Sequence, residues 1–152
     1  METFPKWLEK EYEKAKEKGL ILVDASCPFV LQTQKIVKQY LDEDYTIFYI
    51  GKNKHPEAES IYTMSEHVHL IEPHKEIPIV STSKIFVTNQ TTVSIYELKD
   101  TFDQIKQLYP SAIFHDEICN ATRVRQQAIL DLENVDCLIV VGDPTSNNTQ
   151  KL

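Results

Sequence analysis

The chain has 152 residues, 41% of them hydrophobic and 26% charged, which is enough for one ordinary domain or two small ones with a packed core. Its net charge of −7 and isoelectric point near 5.2 argue against a nucleic-acid backbone or an anionic membrane surface as the main partner. The apolar runs fall short of the ~18 residues that indicate a membrane-spanning helix.

The apolar pattern predicts alternating helices and strands along the first half of the chain. Residues 4–18 have helical spacing, and Gly19 marks the end of that helix. The run "LILV" at 20–23 indicates a buried strand, and Pro28 begins the next helix. Three strands follow, with a helix near Pro56 after the first and a helix in "SIYELKDTFDQIKQLY" after the third; they are "YTIFYIG", "HVHLIE" and "KIFVTN".

The second half continues the alternation with a strand in "SAIFHDE", a helix in "NATRVRQQAILDLEN" and a buried strand in "DCLIVVG". Cys137 lies inside that last apolar run and is assigned to the core. The tail "DPTSNNTQKL" is expected to form a loop and the first residues of another helix. The alternation predicts an α/β fold of βαβ units, with parallel sheets covered on both faces.

Unusual polar residues follow five of the predicted strands, in "SCP", "KNKHPE", "NQTT", "ICNAT" and "TSNNT". These loops carry Cys, His, Glu, Thr and Asn, whereas ordinary polar loops favour Gly, Asp and Lys. Ligands of open α/β sheets bind beyond the carboxyl ends of the strands. The loops therefore predict one shared site at that edge.

The three cysteines are far apart and odd in number, and the first residues are too charged for a signal peptide, so a reduced, cytoplasmic protein is predicted. Cys27 and Cys119 each lie where a predicted strand meets a helix. Together they could serve one iron–sulfur cluster if the fold brings their loops together. The alternatives are two inert, buried cysteines, or a zinc site that also uses a histidine.

Pro56 is expected to keep His55 extended and to place Glu57 in the first turn of a helix. An imidazole and a carboxylate in one crevice could bind an anion and deliver a proton. Alternatively, Glu57 only complements the helix dipole and His55 is a solvated loop residue.

The polar loops "NQTT" and "TSNNT" are each open to two interpretations. Gln90, Thr91 and Thr92 could relay protons or orient a substrate hydroxyl, or Thr92 could be the N-cap of the next helix. The second loop offers hydroxyls and amides at a helix N-terminus, which favours a phosphate. No Walker loop or G-x-G-x-x-G motif is present, which counts against ordinary nucleotide chemistry.

Taken in order, "DASCP", "IGKNKHPE", "NQTT", "CNATRVRQ" and "VVGDPTSNNTQKL" resemble the motifs of the 4-hydroxy-3-methylbut-2-enyl diphosphate reductase family, the LytB-type iron–sulfur enzymes. The resemblance covers nearly the whole chain. It implies reductive dehydroxylation of that substrate to isopentenyl and dimethylallyl diphosphates, the last step of non-mevalonate isoprenoid biosynthesis. It also implies a ferredoxin or flavodoxin as electron donor.

The resemblance assigns roles to the residues of the loops. Cys27 and Cys119 match two of the three cysteines that hold a 4Fe-4S cluster in this family. Glu57 would be the proton donor, connected through Thr91 to the substrate alcohol. The remaining positions match substrate-binding residues, three of them for the diphosphate: His55, Gln90, Thr92, Ser146 and Asn148.

The chain also departs from the family pattern. It lacks the "G-F-C-x-G-V" segment with the third cysteine and two diphosphate-binding histidines, and family members continue beyond Leu152. Three smaller differences replace a glycine, a threonine and a serine of the family: Ser60, Asn89 and Asn147.

These departures predict the end of a first α/β domain at 1–26, a complete central domain at 27–110 and the first half of a third domain at 111–152. Alone, the chain is expected not to be a competent reductase: it would be a fragment, a truncated gene product or half of a split enzyme that a complementing chain completes. Self-association is expected as well, through apolar surfaces that the absent segments would cover. The alternative is a non-catalytic module that binds a diphosphate or another anion without a cluster.

Overall fold

The computed structural model describes residues 6–23 and 25–152, with side chains from residue 10 onward. The predicted α/β alternation is confirmed for four of the six predicted strands; the elements are α1 (Lys6–Glu17), α2 (Pro28–Asp42), β1 (Thr46–Ile50), α3 (Pro56–Tyr62), β2 (Val68–Ile71), β3 (Ile85–Asn89), α4 (Ile95–Leu108), β4 (Ile113–Phe114), α5 (Asn120–Leu130) and α6 (Asn147–Gln150). Gly19 follows α1 with φ +62°, as expected of a helix stop. Phe4, at the start of the predicted first helix, lies outside the described residues.

The four strands form one parallel sheet in the order β2-β1-β3-β4. Ile50, the last residue of β1, lies opposite Ile71 of β2 and Asn89 of β3. The chain leaves β1 toward β2 on one side and returns to β3 on the other. Such a reversal opens a crevice at the carboxyl ends of the two middle strands, β1 and β3.

Each face of the sheet is covered by helices over its own apolar cluster. On one face α2 and α3 pack on the sheet, and the buried members are Val37, Ile47, Tyr49, Ala58, Ile61, Val68 and Phe86. On the other face α4 contributes Leu98 and Ile105, which pack with strand residues including Phe48, Ile50 and Val87. Successive strand residues point to opposite faces, so β1 is buried on both sides and is apolar throughout.

Two of the predicted strands are wrong. Residues 20–23, "LILV", and residues 137–142 of "DCLIVVG" adopt no regular secondary structure. Their side chains face solvent, with Ile21 94% and Val141 92% exposed. An apolar run becomes a strand only where a neighbouring strand satisfies its backbone hydrogen bonds, and neither run pairs with a strand among the described residues. Cys137, predicted in the core, is exposed for the same reason.

The predicted domain boundary at residue 110 falls between α4 and β4. Because β4 pairs with β3 through Phe86 and Ile113, the sheet continues across that position. The division into three domains stays a prediction. Within the described residues, no helix combines the length and the apolar content needed to cross a membrane.

Candidate active site at the carboxyl edge of the sheet

The crevice between β1 and β3 is built by close contacts between the loops that follow these strands. The backbone N–H of Gln90 donates to Ile50 O at 2.8 Å, and Lys52 N–H donates to the Gln90 side-chain oxygen at 3.0 Å. A Cβ atom on Gly51 would lie 3.1 Å from both Gln90 Oε1 and the Tyr49 ring. Glycine at position 51 therefore lets the two loops approach each other.

The start of α3 places an imidazole and a carboxylate next to each other, as predicted. His55 is the N-cap in an extended conformation, with φ −86° and ψ 132°, and Pro56 is the first helical residue. His55 Nδ1 accepts a hydrogen bond from Glu57 N–H at 3.3 Å. Burial, and then the charge of Lys52, lower the pKa of His55, which keeps the half-buried imidazole neutral near pH 7.

The Glu57 carboxylate lies inside the crevice, and Glu57 is 8% exposed. Its Oε1 accepts from Thr91 N–H at 2.7 Å, and its Oε2 accepts from the Thr91 hydroxyl at 3.0 Å. Burial raises the pKa of Glu57, while the hydrogen bonds from Thr91 oppose that rise. A carboxyl group with a raised pKa beside a crevice can act as a general acid.

Cys119 continues this arrangement across β3. Its backbone N–H donates to Thr91 O at 3.1 Å, and it is the N-cap of α5. Its Sγ accepts from Thr122 N–H at 3.4 Å and lies 3.0 Å from the Thr122 hydroxyl oxygen. That hydroxyl donates to Asn148 Oδ1 at 3.2 Å. Hydrogen bonds thus connect Glu57 to Asn148 of α6 by way of Thr91, Cys119 and Thr122.

Thr92 is the centre of a second group of polar contacts. Its hydroxyl oxygen accepts from Gln90 Nε2 at 2.8 Å and from Asn147 Nδ2 at 3.4 Å. The alternative that Thr92 caps the next helix is wrong, because Ser94 is the N-cap of α4. Ser146 is the N-cap of α6 and is half-buried.

Cys27 lies at the N-terminus of α2, where it is the N-cap and is exposed. Thr33, further along α2, donates through its hydroxyl to Glu117 Oε2 at 3.4 Å. Glu117 is two residues before Cys119 in the sequence. The N-terminal half of α2 and the loop that carries Cys119 therefore meet at the same edge of the sheet.

Thiolates are the ligands of iron–sulfur clusters, so the chemistry of Cys27 and Cys119 suits part of such a site. Within the described part of the chain, no three Cys, His, Asp or Glu side chains are grouped so that they could hold a metal ion. The described residues thus supply an incomplete set of ligands for a cluster. The same observation does not favour the zinc alternative, which needs a histidine beside the two thiols.

Sequence reasoning did not single out two buried residues of this region. Thr122 is 1% exposed and contacts both the Cys119 thiol and Asn148; its place three residues after an N-cap was the available signal. Tyr49 is completely buried, and the charge of Glu57 acts on its hydroxyl. Nothing in the apolar pattern of β1 distinguishes Tyr49 from an ordinary core residue.

Comparison with known proteins agrees with the motifs. The model of the family described as "LytB protein" matches residues 8–152. A 4-hydroxy-3-methylbut-2-enyl diphosphate reductase of Listeria monocytogenes is 48% identical over 143 residues, which is 91% of this chain and 43% of the relative. One of Malacoplasma penetrans is 42% identical over 148 residues, or 95% of this chain and 50% of the relative.

The fold agrees with a solved structure as well. The E-1-hydroxy-2-methyl-but-2-enyl-4-diphosphate reductase of Plasmodium falciparum superimposes with a TM-score of 0.80 at 30% identity, over 93% of this chain and 47% of that one. The chain thus spans about half the length of the proteins that it matches.

Proposed function

Because this chain belongs to the LytB protein family, we propose that it carries part of the active site of a 4-hydroxy-3-methylbut-2-enyl diphosphate reductase. The reaction consumes two electrons and two protons, breaks the bond between carbon and the hydroxyl group, and gives water with isopentenyl or dimethylallyl diphosphate. The buried Glu57–Thr91 pair, next to Cys119, is the observation that carries the proposal.

Glu57 is proposed to supply a proton to the substrate. Its burial favours the neutral carboxyl group, which is the form that can donate. After the transfer, the two hydrogen bonds from Thr91 stabilise the carboxylate. The Thr91 hydroxyl already contacts Glu57 and is proposed to connect the carboxyl group to the substrate alcohol.

The polar residues around the crevice are proposed to hold the substrate. His55, Ser146 and Asn148 would contact the diphosphate. Gln90 and Thr92 would line the crevice and contact the substrate there. Gln90 and Thr92 are hydrogen-bonded to each other, and Asn148 is held by Thr122. These contacts orient the side chains before a ligand arrives.

Cys27 and Cys119 are proposed as two ligands of a 4Fe-4S cluster, whose third thiolate belongs to a part of the complete enzyme outside this sequence. When bound, such a cluster supplies electrons and an iron that acts as a Lewis acid. A ferredoxin or flavodoxin is the proposed electron donor. The complete enzyme would contain the chain as the end of one α/β domain, a central domain and the beginning of a third.

A chimera tests this proposal. The matched segment of the Listeria monocytogenes reductase is replaced by this chain, and the product is reconstituted anaerobically with iron and sulfide. We expect a brown protein with absorption near ~400 nm that reduces 4-hydroxy-3-methylbut-2-enyl diphosphate with a chemical reductant. Glu57→Gln should lower kcat at least ~100-fold, the usual contribution of a general acid, and leave the iron content unchanged.

Glu59→Gln is the matched control, because Glu59 lies in the same first turn of α3 but is less buried than Glu57. It should retain the activity of the chimera. Normal turnover of the Glu57→Gln chimera would remove Glu57 from the mechanism. A folded chimera that binds the diphosphate but lacks a cluster and turnover would favour the non-catalytic anion-binding module.

A further inference from the structure

A buried tyrosine hydroxyl group lies in the layer between the sheet and α3, the helix that carries Glu57. Tyr49 is completely buried in β1, on the face of the sheet that α3 covers, and its hydroxyl forms no regular hydrogen bond within the described residues. Buried tyrosine hydroxyls normally have a partner, because an unpaired polar group loses its bonds to water on folding. Tyr49 has no role in the proposed reaction as described above.

The Tyr49 ring lies beside Gly51, at the end of the sheet where α3 begins with Glu57 in its first turn. Burial, and next the negative charge of Glu57, raise the pKa of Tyr49 well above its ordinary value, so the phenol stays protonated and can donate. Each oxygen of a carboxylate can accept more than one hydrogen bond. Thr91 provides one donor to each oxygen, and further acceptor capacity remains.

We propose that Tyr49 is a positioning residue for Glu57: its hydroxyl donates to the carboxylate in addition to Thr91 and so fixes the orientation of the carboxyl group in the crevice. Held by Thr91 and Tyr49 together, the carboxyl group cannot turn away from the Thr91 hydroxyl. The part that Tyr49 plays in turnover rests on the proposed reductase function, whereas the hydrogen bond itself does not.

The other groups that face Glu57 do not take this place. Glu117 is an acid whose charge raises the pKa of Glu57. On α2, Thr33 and Gln34 carry no charge and are bonded to Glu117 and Ser60. From its own helix, the neutral His55 accepts the Glu57 backbone N–H.

Thr88 of β3 supplies a matched comparison. It lies opposite Tyr49 in the sheet register, is fully buried, and has a hydroxyl without a hydrogen-bond partner among the described residues. Unlike Tyr49, it is not among the groups that shift the pKa of Glu57.

Carbon-13 NMR of the glutamate carboxyl groups tests the hydrogen bond in the chain as it stands, without cluster or substrate. Tyr49→Phe removes one oxygen, which withdraws a donor from the carboxylate and should move the Glu57 titration midpoint to higher pH by about one pH unit. Thr88→Val removes the neighbouring buried hydroxyl and should leave the midpoint in place. An unchanged midpoint in Tyr49→Phe, or an equal shift in Thr88→Val, would overturn the proposal.

A second measurement needs no change at Tyr49, in case the phenylalanine variant does not fold. In the unmodified chain, the Tyr49 ring carbon that carries the hydroxyl should change its chemical shift with the same midpoint as Glu57. Glu57→Gln should abolish that change. A Tyr49 signal that ignores the titration of Glu57 would contradict the hydrogen bond.

The chimera separates this inference from the proposed reaction. A general acid must be protonated, so activity falls as the pH rises past its pKa. Tyr49→Phe should move this alkaline limb upward by about one pH unit with KM unchanged. An inactive chimera with the expected NMR shifts would refute the reductase function and leave the hydrogen bond in place; an active chimera without the shifts would refute the role of Tyr49.

Discussion

Thr91→Val removes one of the two hydrogen bonds that hold the Glu57 carboxylate. The 3.0 Å bond from the Thr91 hydroxyl is lost, whereas the 2.7 Å bond from the Thr91 N–H remains. A hydrogen bond to an ionised group contributes ~1.5–3 kcal/mol to stability, and one between neutral groups ~0.5–1.5 kcal/mol. We therefore expect a loss near ~2 kcal/mol when Glu57 is ionised and near ~1 kcal/mol when it is protonated.

The dependence on pH has a definite sign. The folded-state pKa of Glu57 is already raised above 4.5, mainly by burial, so ionising it costs the folded state stability as the pH rises above that value. Removing the hydroxyl withdraws a group that favours the carboxylate and raises the folded-state pKa further. The difference between Thr91→Val and the unmodified chain should therefore grow as the pH rises through the raised pKa of Glu57.

Urea unfolding at about pH 4.5 and about pH 8 measures both quantities. Thr63→Val is the control, because the Thr63 hydroxyl bonds only the carbonyl of Glu59 in an exposed turn. A double-mutant cycle with Glu57→Gln isolates the interaction of the pair, since the loss of stability caused by Thr91→Val should be smaller when the carboxylate is absent. A loss that is equal at both pH values, or no larger than that of Thr63→Val, would refute the account of Glu57 as a buried carboxylate held by Thr91.

Three further predictions follow from the thiols, from α6 and from the exposed apolar runs. In the reconstituted chimera, Cys119→Ser should lower the iron content and the absorption near ~400 nm, whereas Cys137→Ser should not, because Cys137 is exposed and outside the crevice. Gly142→Ala should cost ~1–3 kcal/mol in urea unfolding, since its Cβ would lie 2.4 Å from Thr149 Oγ1; an unchanged midpoint would show that Thr149 rotates freely. The chain should self-associate at high concentration through its exposed apolar runs, and Ile139→Lys, at a position that is 80% exposed, should reduce this in light scattering; a monodisperse unmodified monomer would contradict it.

The sequence predicts the four-stranded sheet of this protein better than the apolar runs that lie outside it. The four strands that pair with one another were all recognisable from their apolar runs. The run at 137–142 is just as apolar, yet it is exposed and irregular. Apolar content records a tendency to be buried, but a strand also needs a neighbour for its backbone, and a local pattern does not contain that information.

The candidate site was predictable to a similar extent. His55 and Glu57 could be placed from the local chemistry of Pro56, because a proline at the first helical position fixes the conformation around it. The contact of Glu57 with Thr91 joins residues 34 positions apart, and only the resemblance to a family indicated it. The proposed contact of Tyr49 with Glu57 had no signal of either kind, because a tyrosine in a buried strand is equally suitable for packing alone.

The two halves of the candidate site are supported in different ways. Glu57 lies on α3, which packs on the sheet through one of the two apolar clusters. Among the described residues, neither cluster includes one beyond Ile118, so α6 has no part in either. Helix α6 and the loop before it are held by polar contacts, among them Lys151 with Glu97 at 2.6 Å and Asn148 with Thr122. Such partly buried polar contacts contribute less stability than buried apolar contacts, which contribute most of it. A segment that packs on residues 137–141 would therefore stabilise the part of the site around α6, where Asn148 lies, more than the part around Glu57.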